Sequence, residues 1–96
     1  MAKTYWIGTY RSVSDPEKLA ANVELAGPAI LAGGGTFLVR GMPAKTYEAG
    51  LNQRTVVIAF DSLAQATITH DSPGYQAAIA ALGDGAERDI RLVEAA

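Results

Sequence analysis

The sequence predicts an α+β domain in which helices cover one face of an antiparallel sheet. Three observations carry this. Apolar residues alternate between short β-branched or aromatic runs and stretches of helical spacing, in the order β, α, β, β, α, β. The stretch from Phe37 to Phe60 reads as a long β-hairpin, two consecutive strands that must pair antiparallel. Its second strand, Thr55 to Phe60, is apolar on both faces, with Val57 and Ala59 alternating against Val56, Ile58 and Phe60, so helices on one side leave an apolar face to be covered.

The first strand runs from Thr4 to Tyr10, with Tyr5, Ile7 and Thr9 on one face and Trp6, Gly8 and Tyr10 on the other. Asp15 caps the first helix, Pro16 suits its first position and Glu17 complements its dipole. Leu19, Val23, Ala26 and Ile30 give that helix its buried stripe. Pro28 removes a hydrogen-bond donor and predicts a kink near Gly27. Gly33, Gly34 and Gly35 end the helix through a left-handed cap; they follow a helix and precede a strand, the reverse of the order a phosphate loop needs.

A strand from Phe37 to Val39 opens the hairpin and Thr55 to Phe60 closes it. Ser62 and Gln65 have capping-box spacing for a second helix, on which Leu63, Ala66 and His70 share a face. Ser72 and Pro73 start a third helical segment, with Tyr75, Ile79 and Leu82 on one side, and Gly83 and Gly85 stop it. Ile90 to Glu94 is the last strand. The chain has no internal repeat or low-complexity tract, and the layout is ferredoxin-like.

Ninety-six residues make a single domain, covering 1–96, whose small core gains from a second copy. A homodimer through the sheet face opposite the helices is expected. The net charge of −2 and the scatter of Lys and Arg argue against a nucleic-acid surface. No run reaches the length of a membrane span, and the start of the chain shows no signal-peptide pattern, so the cytoplasm is the expected compartment. With no cysteine, disulfides and thiolate chemistry are excluded.

The segments PAILAGGGTFLVRG, YEAGLNQRTVVIAF and HDSPGYQAA, in this order and spacing, resemble the bacterial family catalogued as domain of unknown function 1330, within the dimeric α+β barrel superfamily. The likeness covers almost the whole chain. It is most specific in Gly34 to Gly41, in the pair Glu48 and Arg54, and in Ser72, Pro73, Tyr75 and Gln76. The resemblance implies a βαββαβ protomer whose sheet joins that of a second protomer, and no established activity. The wider superfamily holds cofactor-independent monooxygenases, lactone isomerases, haem enzymes and ligand-sensing domains, so any one chemistry would transfer by fold analogy alone. The chain departs from the family pattern at His70, where an aromatic is usual, and at Gly83 and Asp84, in a region often carrying arginine.

Several residues are candidates for chemistry. Arg40 shares a strand face with Leu38 and precedes Gly41; it can grip a carboxylate, enolate or phenolate, or else pair with Glu48 to fix the hairpin. Glu48 is a general base if burial raises its pKa, but the nearby Arg40 and Arg54 favour its ionised, paired form. Arg54, opening a strand beside a loop, is either solvated or a ligand contact. His70 is the single histidine and so the natural proton shuttle, against a structural role at the end of its helix. No metal site is expected, since no second histidine or acidic cluster stands at ligand spacing. Tyr5, Trp6, Tyr47 and Tyr75 can wall an aromatic pocket or simply fill the core.

Three functions compete. One is a cofactor-independent enzyme, monooxygenase-like or isomerase-like, acting on a small apolar or aromatic acid with Arg40 holding the anion and His70 moving the proton. The second is a non-catalytic ligand-binding or sensory dimer using the same pocket, and the third a structural dimer without a cavity. A pocket of a few hundred Å³ lined by Arg40 or His70 would remove the third.

Overall fold

The computed structural model describes residues 3–96, so Met1 and Ala2 of the N-terminal segment lie outside it. Strands β1 (Thr4–Val13), β2 (Thr36–Gly41), β3 (Thr55–Phe60) and β4 (Ala86–Glu94) form one antiparallel sheet in the order β2-β3-β1-β4. Helices α1 (Pro16–Ala32), α2 (Leu63–His70) and α3 (Pro73–Leu82) pack on one face, giving the ferredoxin-like βαββαβ fold. The molecule measures 35 × 31 × 16 Å, the thickness of one sheet and one helical layer. No helix among the described residues is long and apolar enough to cross a membrane.

Strand alternation divides the sheet cleanly. Trp6, Ile58 and Phe60 face the helices and are buried with Ala26, Ile30, Ala66, Tyr75 and Ala78. Tyr5, Ile7, Thr9 and Val57 take the opposite, open face, where Tyr5 stands across from Ala59 and Val93, and Ile7 from Val57 and Arg91. The pairing of each outer strand carries a register shift, between Phe37 and Val39 in β2 and between Tyr10 and Ser12 of β1 where it meets β4.

Local chemistry sets the helix ends. Asp15 accepts hydrogen bonds from the Glu17 and Lys18 amides at 3.1 and 3.2 Å, and Pro16 opens α1. The helix then continues as one element through Pro28. It ends in a paired motif, with the Gly35 amide donating to Ile30 and the Gly34 amide to Leu31, which requires the positive φ of 86° at Gly34. The glycine run is also the seat of α2, because the Gly33 carbonyl accepts from Gln65 Nε2 at 2.8 Å. Ser62 caps α2 by accepting from the Gln65 amide, but the Gln65 side chain is spent on Gly33 instead of completing a capping box.

Strand boundaries and helix stripes differ in places from the sequence reading; β2, read as Phe37 to Val39, runs from Thr36 to Gly41. The first strand continues to Val13 because the irregularity near Arg11 lets pairing with β4 resume at Ser12, and β4 begins at Ala86. The stripe of α1 is Asn22, Ala26 and Ile30, with Leu19 and Val23 only half-buried. On α2 the inward residues are Ala66 and Thr69; Leu63 is exposed and His70 half-buried, because Thr69 packs against the glycine seat.

Candidate functional site

Between sheet and helices lies a cleft whose floor is Gly8. In that cross-strand row Arg40, Val56, Gly8 and Ile90 stand side by side from β2 to β4, and the missing Gly8 side chain leaves space in the middle. The next row holds Tyr10 opposite Arg88 on β4, with Arg54 on the other side, since the Tyr10 amide donates to the Arg54 carbonyl at 3.1 Å. Trp6, Phe37, Ile58 and Tyr75 supply aromatic and aliphatic walls, and Asn22, Ala26 and Ile30 of α1 form the roof. The cleft is a narrow slot, with an interior volume of about 50 Å³ behind an open mouth.

Arg40 reaches this slot because of a bulge. Leu38 is an extra residue in β2: Phe37 stands opposite Ile58, whereas Val39 stands opposite Val57 and Arg40 opposite Val56. Regular alternation would place Arg40 beside Leu38 and away from Phe37. The bulge puts it on the face of Phe37, and its guanidinium lies 4.5 Å from the centre of that ring.

The expected ion pair of Arg40 or Arg54 with Glu48 is absent among the described residues. Glu48 sits exposed at a φ of 52° in the loop joining β2 to β3. That loop leans toward the open face, where Lys45, Thr46 and Gln53 line a separate hollow with Thr9, Thr55 and Asp89. The acid is thereby carried away from the arginines. Arg54, instead of being solvated, is half-buried with its Nε enclosed and without a hydrogen-bond partner.

Arg88 is the residue the sequence reading missed. Its two terminal nitrogens donate to Tyr10 Oη at 3.2 Å and Tyr75 Oη at 3.4 Å. Burial raises the Tyr75 phenol above its ordinary range, an effect the Arg88 charge partly offsets. The signal was period two: Arg88, Ile90 and Leu92 share a face once the strand is extended back to Ala86.

Of the other candidates, Tyr75 lines the cleft, whereas Tyr5 is on the open face and Tyr47 is 71% exposed in the loop. His70 turns its ring onto the core, but it is not among the residues that line the cleft, where a proton shuttle would have to stand. Its ring packs against Trp6 and Tyr75, with centroids 5.6 and 5.3 Å away, and Nδ1 lies 2.9 Å from Asp71 Oδ1. The ring therefore sits behind the aromatic wall. The cleft walls carry three guanidinium groups and two phenols, and no carboxylate or imidazole.

Solved structures share this architecture at low sequence identity. A protein of unknown function from Rhodopseudomonas palustris superposes with a TM-score of 0.78 at 13% identity, over 99% of this chain and 83% of that one. SnoaB, a cofactor-independent oxygenase from Streptomyces nogalater, gives 0.68 at 13% identity, covering 100% of this chain and 95% of that one. A dimeric protein of unknown function with a ferredoxin-like fold from Bacteroides fragilis gives 0.64 at 15% identity, covering 99% and 98%. At these identities the likeness is one of fold. No curated protein matches the chain. The model of the family described as domain of unknown function DUF1330 matches residues 3–96, the whole of the described chain, and the protein belongs to that family.

Proposed function

We propose that this domain binds a small, flat organic anion, an aromatic or apolar carboxylate or a phenolate, in the slot between sheet and helices. One observation carries the reading: Arg40, Arg54 and Arg88 converge on an apolar cleft with no carboxylate among its walls. Charges beside a low-dielectric surface require a counter-ion, and the cleft that the three arginines line is open to solutes. The buried Arg54 Nε is a donor waiting for an acceptor. Guanidinium forks suit planar carboxylates, and Trp6, Phe37 and Tyr75 suit an aromatic body.

The slot is smaller than the few hundred Å³ that would by itself remove the purely structural dimer; what favours a ligand over that reading is the arginine cluster on its walls. A second copy is nevertheless part of the reading, as a cover for the open sheet face, where Val39 and Val93 are 49% and 47% exposed beside Tyr5, Ile7 and Val57. The fold neighbour from Bacteroides fragilis is itself a dimeric protein.

Turnover of the bound anion without a cofactor is a second reading, favoured by a guanidinium cluster that stabilises an enolate or phenolate as well as a carboxylate. Its acid–base groups would be the Tyr10 and Tyr75 phenols, since His70 is not on the cleft walls. The binding reading is tested with the single tryptophan, Trp6, as reporter. Benzoate should change its emission saturably and neutral benzamide should not. Arg54→Ala and Arg88→Ala should each weaken benzoate by about tenfold or more, as expected for a charge-assisted hydrogen bond. A response equal for benzoate and benzamide, or indifferent to both substitutions, removes the proposal.

A further inference from the structure

Asn22 is 2% exposed, yet it belongs to the apolar stripe of α1 and to the wall of the cleft. A polar residue at such a position needs its donors and acceptors accounted for. Its Nδ2 donates to the Ala78 carbonyl of α3 at 2.7 Å, joining the two helices. That bond also fixes which end of the amide is which, because a carbonyl accepts only from the NH2 side. The Oδ1 atom is then an acceptor; Nδ2 to Ala78 is the one side-chain hydrogen bond Asn22 makes among the described residues, and Oδ1 is not one of the sealed, unpartnered atoms, so it keeps an opening where Asn22 lines the slot.

The other polar groups of the cleft are three guanidiniums, which only donate, and two phenols, both of which already accept from Arg88. Asn22 Oδ1 is thus the one side-chain acceptor on the α1 side of the slot, set in a roof otherwise made of Val23, Ala26, Gly27 and Ile30. A ligand that is only an anion satisfies the arginines and leaves this oxygen desolvated. We infer that the physiological ligand carries a hydrogen-bond donor in addition to its anionic group, a hydroxy-substituted aromatic acid or an equivalent amino or phenol compound, and that Asn22 reads that donor through Oδ1. The inference rests on the anion-binding reading above and narrows its ligand class.

The donor requirement separates it from a merely structural asparagine, whose work would end at Ala78. The test compares benzoate with the ortho, meta and para hydroxybenzoates on the full-length protein, again through Trp6 emission. At least one isomer should bind the unmodified protein about three- to tenfold more tightly than benzoate, the worth of one buried neutral hydrogen bond. This arm needs no variant to fold. In Asn22→Leu, and in the smaller Asn22→Ser as a check on packing, the ratio of that isomer's affinity to benzoate's should shrink toward unity, whatever the substitution does to benzoate binding itself. If benzoate binds in an arginine-dependent way but all isomers match it, the donor inference is overturned and the anion reading stands. A preference that survives both substitutions also overturns it and assigns the hydroxyl to a tyrosine. If none of the four probes binds, both readings go together.

Discussion

At the scale of the residue, the three arginines differ in what holds them. Arg40 is exposed, stacked on Phe37 and without an acidic partner among the described residues, so Arg40→Ala should lower stability by less than about 1 kcal/mol in urea denaturation. A larger loss would mean an ion pair with Glu48 in solution. Arg88 holds the Tyr10 and Tyr75 phenols, and burial keeps Tyr75 protonated beyond its ordinary range. The sign follows from proton linkage. The folded chain binds that proton more tightly than the unfolded chain, so stability is intact below the unfolded phenol pKa of about 10 and falls as pH rises beyond it. Spectrophotometric titration should find one tyrosine ionising above the ordinary phenol range, and Tyr75→Phe should remove that late step together with its share of the alkaline stability loss.

At the scale of the element, two local features of the sheet make the cleft. The Leu38 bulge turns Arg40 inward, and Gly8 leaves a gap in the middle of the row. A Cβ at Gly8 would meet Ile90, Trp6 and Val56 only at 3.9 Å, an ordinary contact, and its φ is not positive, so alanine fits there. Gly8→Ala should therefore fold with near-parental stability, and Gly8→Leu should fill the slot. The leucine variant is expected to keep its circular dichroism and lose benzoate binding by more than about tenfold, since a narrow pocket has no spare volume for both. Undiminished binding in the leucine variant would place the ligand elsewhere.

At the scale of the whole molecule, adjacent strand residues have separate duties. Val57 and Ile58 are neighbours on a strand that the sequence shows as apolar on both faces. In the structure Ile58 is 1% exposed under the helices, whereas Val57 is half-buried on the open face. Ile58→Asp should abolish folding, because an unpaired charge would enter the core. Val57→Asp should leave a folded chain that sediments as a monomer where the parent sediments as a dimer. A parent that stays monomeric at micromolar concentration ends the proposal of a sheet-to-sheet dimer. The slot lies on the other side of the sheet, so benzoate affinity in Val57→Asp should change little.

The order of elements, the caps at Asp15, Ser62 and Ser72, and the glycine end of α1 follow from the sequence because each depends on residues a few positions apart. Alternation along Thr55 to Phe60 likewise shows two apolar faces without any structure. The composition of the site was another matter. Spacing placed Glu48 with Arg40 and Arg54, and helical register placed His70 inward, toward the pocket; tertiary structure moved the acid out on a loop and the imidazole behind Trp6 and Tyr75. It brought in Arg88 and Asn22 instead, one from an underestimated strand and one from a polar position inside an apolar stripe. The physical reason is that a bulge of one residue reverses which face every later side chain takes, and neighbours across a sheet are fixed by register, which no local pattern in the chain encodes.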